Sequence, residues 1–252
     1  MLAFSSLLGN VEGQNIYRIW YDKPASYWEE ALPVGNGRIA AMVFGDPQLE
    51  QIQLNEETVS AGSPYQNYNE EAKTALPEMR RLIFEGKYEE AQNMAATKIL
   101  SQVGNEMPYQ TVGRLNIRYQ DHKKVNNYYR DLDISNAVAV TRYEVDGVEF
   151  TEETFASFTD QLVIRHIKAS KPGTINCELF FNTPMRDPKR SIYGKKGLRL
   201  EGITHGSRYF PGKVHYCADL DVKHKGGKVI TANDTLLSVQ GASELTLYIS
   251  MA

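Results

Sequence analysis

The sequence has little of what several common classes of protein require. Its 252 residues contain only two cysteines, Cys177 and Cys217, so neither a disulfide framework nor a CxxC metal site is predicted. The net charge of −3 leaves no basic excess for neutralising phosphates, which argues against nucleic acid as a partner. No run of about 18 apolar residues is present, so we expect no transmembrane helix. The composition is that of an ordinary globular domain.

The two cysteines leave two arrangements open. Both lie in strand-like segments of the chain, where two buried free thiols are the simpler arrangement. A single disulfide is the alternative if the two strands are neighbours, because the bond needs Cα atoms within about 7 Å of each other.

Signatures of several enzyme classes are also missing. The five histidines form no HExxH motif and no close pair, so no metal and no other cofactor is predicted. The chain has no GxSxG elbow, Walker loop or GxGxxG after a strand, which excludes the hydrolases, NTPases and dinucleotide-binding proteins built on them.

A pair of catalytic carboxylates is not evident either. Glycoside hydrolases need two carboxyl groups on either side of the bond they cleave. Adjacent acidic pairs do not supply them locally, because neighbouring residues of a strand point to opposite faces. For one such pair, Glu152 and Glu153, we expect a solvated strand face.

What the sequence does contain is a long series of strand patterns. Fifteen tyrosines favour sheet surfaces and polar ligands such as sugars. Polar and apolar residues alternate in 49–54, 115–119 and 137–145, and Asp146-Gly147 then supplies a two-residue hairpin turn. Further strands are predicted at 16–21, 38–44, 148–158, 161–169, 174–181, 214–222, 228–231, 236–239 and 244–251, with a Gly- and Lys-rich loop from 182 to 213. The patterns predict a mainly β fold, a large antiparallel two-sheet β-sandwich.

One segment breaks the β pattern. Residues 69–101 have helical period and composition and predict an inserted two-helix hairpin. The apolar face of its first helix is predicted to consist of Leu76, Met79, Leu82 and Ile83. Gly86 then separates this helix from the second one. We expect the hairpin to cover one edge or face of a sheet.

The two ends of the chain suggest a part of a longer, exported protein. Residues 1–14 resemble the remnant of a secretory signal peptide, with a frayed N-terminus as the alternative. A signal peptide predicts secretion, or a periplasmic location in a bacterium, and places the sandwich domain at 15–252. The last predicted strand runs to the final residues without a turn, so we expect more protein to follow.

The stretch 20–65 is the most unusual part of the chain. It concentrates both tryptophans, the Asn36-Gly37 turn and a polar run that begins at Asn55. Asn55 and Glu56 end a predicted strand and enter a loop rich in Gly, Ser and Pro, where binding residues concentrate. Two interpretations remain open: a surface that holds a polar ligand or docks another domain, and a set of ordinary hairpin turns.

The same stretch also carries a family resemblance. It rests on two motifs, YWEEALPVGNGRIAAMVFG and IQLNEETVSAGSPY, and it continues in order through residues 16–170. In these motifs the chain resembles the amino-terminal domain of glycoside hydrolase family 95, the inverting α-L-fucosidases. The resemblance implies a β-sandwich followed by a helical (α/α)6 barrel as partner domain. It also implies that the catalytic Glu, Asn and Asp lie on that barrel, so no catalytic residue is predicted here.

The resemblance further implies a substrate and a set of contact residues. The substrate is a fucosylated oligosaccharide with α-(1→2)-linked L-fucose. Ser60 stands where the family usually has a tryptophan, which makes α-L-galactosides an alternative. The positions that match the family's most distinctive motifs, and that are predicted to contact substrate or the barrel, are Trp28, Asn36, Arg38, Asn55 and Glu56.

Three hypotheses follow. In the first, the chain is the amino-terminal sandwich of a secreted α-L-fucosidase and is inactive alone. In the second, it is a stand-alone glycan-binding module whose loop aromatics are Tyr65, Tyr68, Tyr209 and Phe210. In the third, it is a structural domain that packs on a partner and exposes a large apolar patch on one flank. We favour the first, with the third describing the role of this part of the protein.

Overall fold

Two large antiparallel sheets make up most of the computed structural model, which describes residues 17–63, 66–101, 108–207 and 210–252. The sheets face each other across one apolar core. This arrangement confirms the predicted mainly β fold and its two-sheet sandwich. The predicted signal segment, residues 1–14, lies outside the described residues.

Nine strands form one sheet and seven form the other. In chain order the strands are β1 (Arg18–Tyr21), β2 (Leu32–Gly35), β3 (Ile39–Val43), β4 (Leu49–Glu56), β5 (Gly113–Tyr119), β6 (Val125–Asp133), β7 (Val138–Val145), β8 (Val148–Ser157), β9 (Leu162–Ala169), β10 (Ile175–Asn182), β11 (Arg186–Tyr193), β12 (Gly197–Ile203), β13 (His215–Lys225), β14 (Lys228–Asn233), β15 (Leu236–Ala242) and β16 (Glu244–Met251). The nine-stranded sheet has the order β1-β6-β7-β8-β9-β16-β13-β12-β11. The seven-stranded sheet has the order β14-β15-β10-β5-β4-β3-β2.

Alternating side chains explain why these segments are strands. In β4, Ile52 and Leu54 are buried in the core, whereas Gln51 and Gln53 lie on the half-exposed outer face. In the turn between β7 and β8, Asp146 and Gly147 have φ of 50° and 77°, the positive values that a tight two-residue hairpin turn requires. The predicted hairpin at this position is confirmed.

Both cysteines are free thiols. Cys177 lies on β10 of the seven-stranded sheet and Cys217 on β13 of the nine-stranded sheet, so the two strands are not neighbours. The alternative of a disulfide is therefore wrong. Burial raises the pKa of the Cys177 thiol far above its ordinary value, which keeps this thiol protonated.

The predicted loop from 182 to 213 is wrong over about half of its length. Here β11 and β12 form a hairpin across Gly194, whose φ is 59°. β11 is the edge strand of its sheet and almost all of its residues are exposed, so it lacks the alternation that identifies a strand. It also contains Pro188, which an edge strand tolerates because one side needs no hydrogen bonds. β2 and β6 are likewise absent from the predicted strands.

The predicted two-helix hairpin is confirmed. Helix α1 (Ala72–Phe84) and helix α2 (Tyr88–Met94), which continues as a π-helical turn over Ala95–Ile99, pack mainly on each other. The predicted apolar face is correct for Leu82, which is buried, but Ile83 is 42% exposed. None of the described helices could cross a bilayer, since the longest has 13 residues.

A buried ionic cluster joins the two sheets inside the core. Arg165 on β9 donates through Nη2 to Glu50 Oε2 on β4 at 2.8 Å, and the same nitrogen contacts Glu152 Oε2 on β8. The three side chains are at most 2% exposed. Because Glu50 belongs to the seven-stranded sheet and the other two to the nine-stranded sheet, the guanidinium bridges the sheets.

Hydroxyl and amide groups complete this cluster. The hydroxyls of Tyr119 and Tyr143 each donate to Glu152 Oε1 at 2.7 Å. Glu50 Oε1 accepts the amide N–H of Gly45 at 2.9 Å. Burial raises the pKa of both tyrosines well above their ordinary value, so both hydroxyls keep the proton that they donate.

The position of Glu152 corrects the expectation for the acidic pair. Glu153 is exposed, as predicted, but Glu152 points into the core. The solvated face was expected because an unpaired carboxylate is costly to bury. The charge of Glu152 is compensated by Arg165, which lies 13 residues further along the chain.

His122 lies beside the cluster, among the rings of Tyr119, Tyr143 and Phe150. Its Nδ1 is 3.1 Å from the carbonyl oxygen of Pro47, so this nitrogen carries the proton. Burial lowers the pKa of His122 below its ordinary value of 6.5, against the opposing effects of the Pro47 hydrogen bond and the charges of Asp121 and Asp146.

The buried cluster predicts a large effect of removing its cation. The substitution Arg165→Met should lower the free energy of unfolding by about 3–5 kcal/mol, because it leaves Glu50 and Glu152 buried without compensation. Chemical denaturation measures this loss. The matched control is Arg118→Met, which breaks an exposed pair with Glu178 and should cost less than about 1 kcal/mol. Equal losses for the two variants would contradict the role of Arg165.

The lowered pKa of His122 predicts a pH dependence of stability. The unfolded chain binds the proton more tightly than the folded one, so this contribution is complete above about pH 6.5 and is lost as the pH falls through the folded-state pKa. Thermal unfolding at several pH values should therefore show a smaller loss on acidification for His122→Asn than for the unmodified chain. His215→Asn, at an exposed histidine, is the control and should leave the pH profile unchanged. Identical profiles for all three proteins would refute the prediction.

Candidate functional site

Asn36 closes the turn between β2 and β3 and fastens it to the other sheet. Its Oδ1 accepts the backbone N–H groups of Arg38 at 3.1 Å and Ile39 at 2.9 Å. Its Nδ2 donates to the carbonyl of Ser157, at the end of β8, at 2.8 Å. Gly37 has a φ of 94°, which explains the glycine in this turn. The side chain is buried, so it supports the backbone and does not face solvent.

Arg38 and Glu56 extend the same cluster. Arg38 Nη2 donates to the carbonyl of Met251, the last residue of β16, at 3.0 Å, and its Nε lies 3.4 Å from Glu56 Oε1. Glu56 is 2% exposed and accepts both the N–H and the hydroxyl of Thr58, at 2.8 and 2.6 Å. We call Asn36, Arg38 and Glu56 the end cluster, because they tie the two sheets together at one end of the sandwich.

Tyr109 borders the end cluster. Its hydroxyl donates to the backbone carbonyl of Glu56 at 3.0 Å. Burial and the negative charges of Glu56 and Glu57 raise the pKa of Tyr109, so the phenol stays neutral and can continue to donate. Ser60 forms a single β-bridge with Tyr109. This is the serine that stands where the family named in the sequence resemblance usually has a tryptophan.

The other two predicted contact residues lie apart from the end cluster. Trp28 is 50% exposed and begins a short 3-10 helix, Trp28–Glu30, which precedes β2 at the end opposite to Asn36. Asn55 is next to Glu56 on β4 but faces the outer side of the sheet. The structure thus brings three of the five residues together. Their contact with substrate or with another domain stays a prediction.

The structure describes only two of the four loop aromatics of the glycan-binding hypothesis. Tyr65 and Tyr209 lie outside the described ranges. Tyr68 is 64% exposed, and Phe210 is half-buried.

Exposed large apolar side chains, which the third hypothesis requires, concentrate in two segments of the chain. One segment is the tip of the helical hairpin and contains Ile83, Phe84 and Tyr88. The other precedes β2 and contains Tyr17, Ile19, Trp20, Tyr27 and Trp28.

A cavity of about 360 Å³ lies on the outer face of the seven-stranded sheet. Its lining consists of Gln53, Thr111, Arg114, Asn182, Thr183 and Pro184. Gln53, Arg114 and Asn182 are direct cross-strand neighbours on β4, β5 and β10. We call this feature the outer-face cavity. No sequence motif predicted this cavity, although the alternating Gln51, Gln53 and Asn55 of β4 indicate a polar outer face.

The groups described above form ion pairs and hydrogen bonds or line a cavity. The buried carboxylates Glu50, Glu56 and Glu152 each form an ion pair with an arginine. In the described ranges, no group of three His, Cys, Asp or Glu side chains could hold a metal ion. Polar groups open to a ligand are found instead at the outer-face cavity.

The end cluster predicts unequal roles for the two asparagines Asn36 and Asn55. The substitution Asn36→Ala should lower the free energy of unfolding by about 1–3 kcal/mol, because buried backbone groups lose their hydrogen-bond partner. Asn55→Ala, on the half-exposed outer face, should change it by no more than about 0.5 kcal/mol. Denaturant unfolding of both variants measures the difference. A loss for Asn55→Ala as large as that for Asn36→Ala would contradict this assignment.

Several named proteins are similar to this chain. "Alpha-L-fucosidase 2" of Arabidopsis thaliana is 37% identical over 266 residues, which cover 95% of this chain and 31% of the plant protein. "Probable alpha-fucosidase A" of Aspergillus niger is 26% identical and is matched over 60% of this chain and 20% of that protein. The Aspergillus oryzae protein of the same name is 25% identical, over 79% of this chain and 28% of that protein. The chain thus spans less than a third of the length of each relative.

A family model covers nearly the whole described fold. The model described as "Glycosyl hydrolase family 65, N-terminal domain" matches residues 19–252, which include the end cluster, the helical hairpin and the outer-face cavity. Together with the plant relative, this match confirms the predicted resemblance to the N-terminal domain of fucosidase-like glycoside hydrolases. The chain therefore belongs to the family of glycosyl hydrolase family 65 N-terminal domains.

Proposed function

We propose that this chain is the N-terminal sandwich of an inverting α-L-fucosidase of glycoside hydrolase family 95, which removes α-(1→2)-linked L-fucose from oligosaccharides. The observation that carries the proposal is the structural role of three residues of the family motif. Asn36, Arg38 and Glu56 fasten one end of the sandwich. The names of the three relatives support the substrate class.

In this proposal the sandwich supports a catalytic helical barrel and borders its active site. The end cluster supports this role, because it fixes the β2–β3 turn, the end of β4 and the end of β16 relative to one another. The exposed apolar side chains in residues 17–28 support it as well, since another domain would cover such a surface. We also propose a secreted or periplasmic location, from the signal-like composition of residues 1–14.

A domain exchange with the Arabidopsis relative tests the supporting role. We expect that protein to keep releasing L-fucose from 2′-fucosyllactose when residues 15–252 of this chain replace its own sandwich, and we expect the 252-residue chain alone to release none. Arg38→Ala in the exchanged protein should lower release by about tenfold or more, because small displacements at an active site are costly. Enzymatic measurement of free L-fucose decides each case.

The exchange has a matched control and clear contradicting outcomes. Arg118→Ala, on the exposed outer face, should leave release unchanged. Release of fucose by the isolated chain would overturn the supporting role. So would an Arg38→Ala exchange protein that is as active as its parent.

The proposed stereochemistry and linkage are tested on the complete enzyme. Proton NMR should show the β-anomer of L-fucose as the first product, since inversion changes the configuration of the α-linked sugar. Comparison of α-L-fucosides with α-L-galactosides tests the consequence of Ser60. The α-anomer as first product would refute the inverting mechanism.

A further inference from the structure

The outer-face cavity has the lining of a binding site. Five of its six lining residues are polar, and Pro184 supplies one apolar surface. Its volume of about 360 Å³ falls within the range of roughly 300–1,000 Å³ that is usual for small-molecule sites. Most of the lining surface is nevertheless apolar. The cavity is therefore suited to a small ligand that combines polar groups with apolar C–H surface.

The fold holds this lining in place. Gln53, Arg114 and Asn182 sit side by side on the three central strands of the sheet, which are its most constrained part. The hydroxyls of Thr111 and Thr183 donate to backbone carbonyls at 2.9 Å, which orients both side chains. Gly113 lies between these elements, and a Cβ there would come within 2.5 Å of the Asn182 carbonyl oxygen. The site is thus preorganised, which lowers the entropic cost of binding.

Arg114 is the charged group of the cavity. Its Nη1 donates to Gln51 Oε1 at 2.6 Å, and its guanidinium lies 5.7 Å from the ring of Phe44. No carboxylate in the described ranges forms an ion pair with it. Arg118, two residues further along β5, has such a partner in Glu178 at 3.1 Å. The outer-face cavity therefore offers a cation whose remaining N–H groups can receive an anion.

We propose that the outer-face cavity binds one uronic acid unit of a glycan, with Arg114 holding the sugar carboxylate and Gln53 and Asn182 the ring hydroxyls. A guanidinium matches a carboxylate because its parallel N–H groups meet two oxygens. Amide side chains both donate and accept, as sugar hydroxyls do, whereas a carboxylate only accepts. Pro184 supplies an apolar surface for the C–H groups of the ring. This inference goes beyond the proposed function, because it concerns the binding of a different sugar by this chain.

Titration of the 252-residue chain tests the proposal. We expect D-galacturonate to give saturable shifts in protein NMR spectra at constant ionic strength, with D-galactose binding about tenfold more weakly for lack of the charge. Arg114→Gln should reduce the affinity for galacturonate to that for galactose. Arg118→Gln, the matched control on the same strand and face, should bind galacturonate like the unmodified chain. Unfolding midpoints establish that both variants are folded.

Three results would overturn the proposal. The absence of saturable shifts with galacturonate would do so, as would equal losses of affinity in the two arginine variants. Glutarate, which has carboxylates but no hydroxyls, serves as a probe of a protein side chain. If it binds as tightly as galacturonate, the cavity receives an acidic side chain of another domain and not a sugar. Because the readout is binding by this chain, the result is independent of fucose release.

Discussion

Arg165 holds a carboxylate from each sheet in the middle of the sandwich, at a place where water does not reach. Glu50 comes from the seven-stranded sheet and Glu152 from the nine-stranded sheet. Removing three charged groups from water is costly, and the contact is favourable only if every group is paired and hydrogen-bonded. The hydroxyls of Tyr119 and Tyr143, the hydroxyl of Thr154 and the amide of Gly45 supply most of these bonds, whereas Arg165 Nε has no hydrogen-bond partner among the described residues. Apolar contacts are non-directional, whereas the hydrogen bonds of this cluster are made only in the observed alignment of β4 against β9.

The alignment of the two sheets positions the residues of the end cluster. Once β4 and β9 are aligned, the β2–β3 turn lies against the end of β8, where Asn36 Nδ2 reaches the carbonyl of Ser157. Arg38 reaches the carbonyl of Met251 on β16 in the same way. Asn36 and Arg38, which belong to the motifs of the family resemblance, thus donate hydrogen bonds to backbone groups of distant strands. Their composition suggested a ligand-binding surface, but Asn36 and Glu56 are buried and accept hydrogen bonds from the backbone.

The side chains of β4 contribute both to the interior of the sandwich and to its outer face. The inward side chains of β4 include Glu50 of the ionic cluster and Glu56 of the end cluster. Its outward side chains include Gln53, which lines the outer-face cavity. Because strand side chains alternate, a cavity on the outer face can vary without disturbing the core beneath it. The strand therefore stabilises the core and presents a polar outer surface at the same time.

The sequence by itself determined the class of fold and most of its strands, the Asp146-Gly147 hairpin and the pair of helices. These features depend on local periodicity and turn chemistry, which neighbouring residues carry. The family resemblance was also readable, because its motifs are continuous. Only the tertiary structure showed β11 as a strand, since an exposed edge strand has no alternation. Only the tertiary structure likewise showed the buried position of Glu152, the end cluster and the outer-face cavity. Each of them depends on residues far apart in the chain, such as Glu50 and Arg165, which are 115 residues apart and meet only after the sheets have packed.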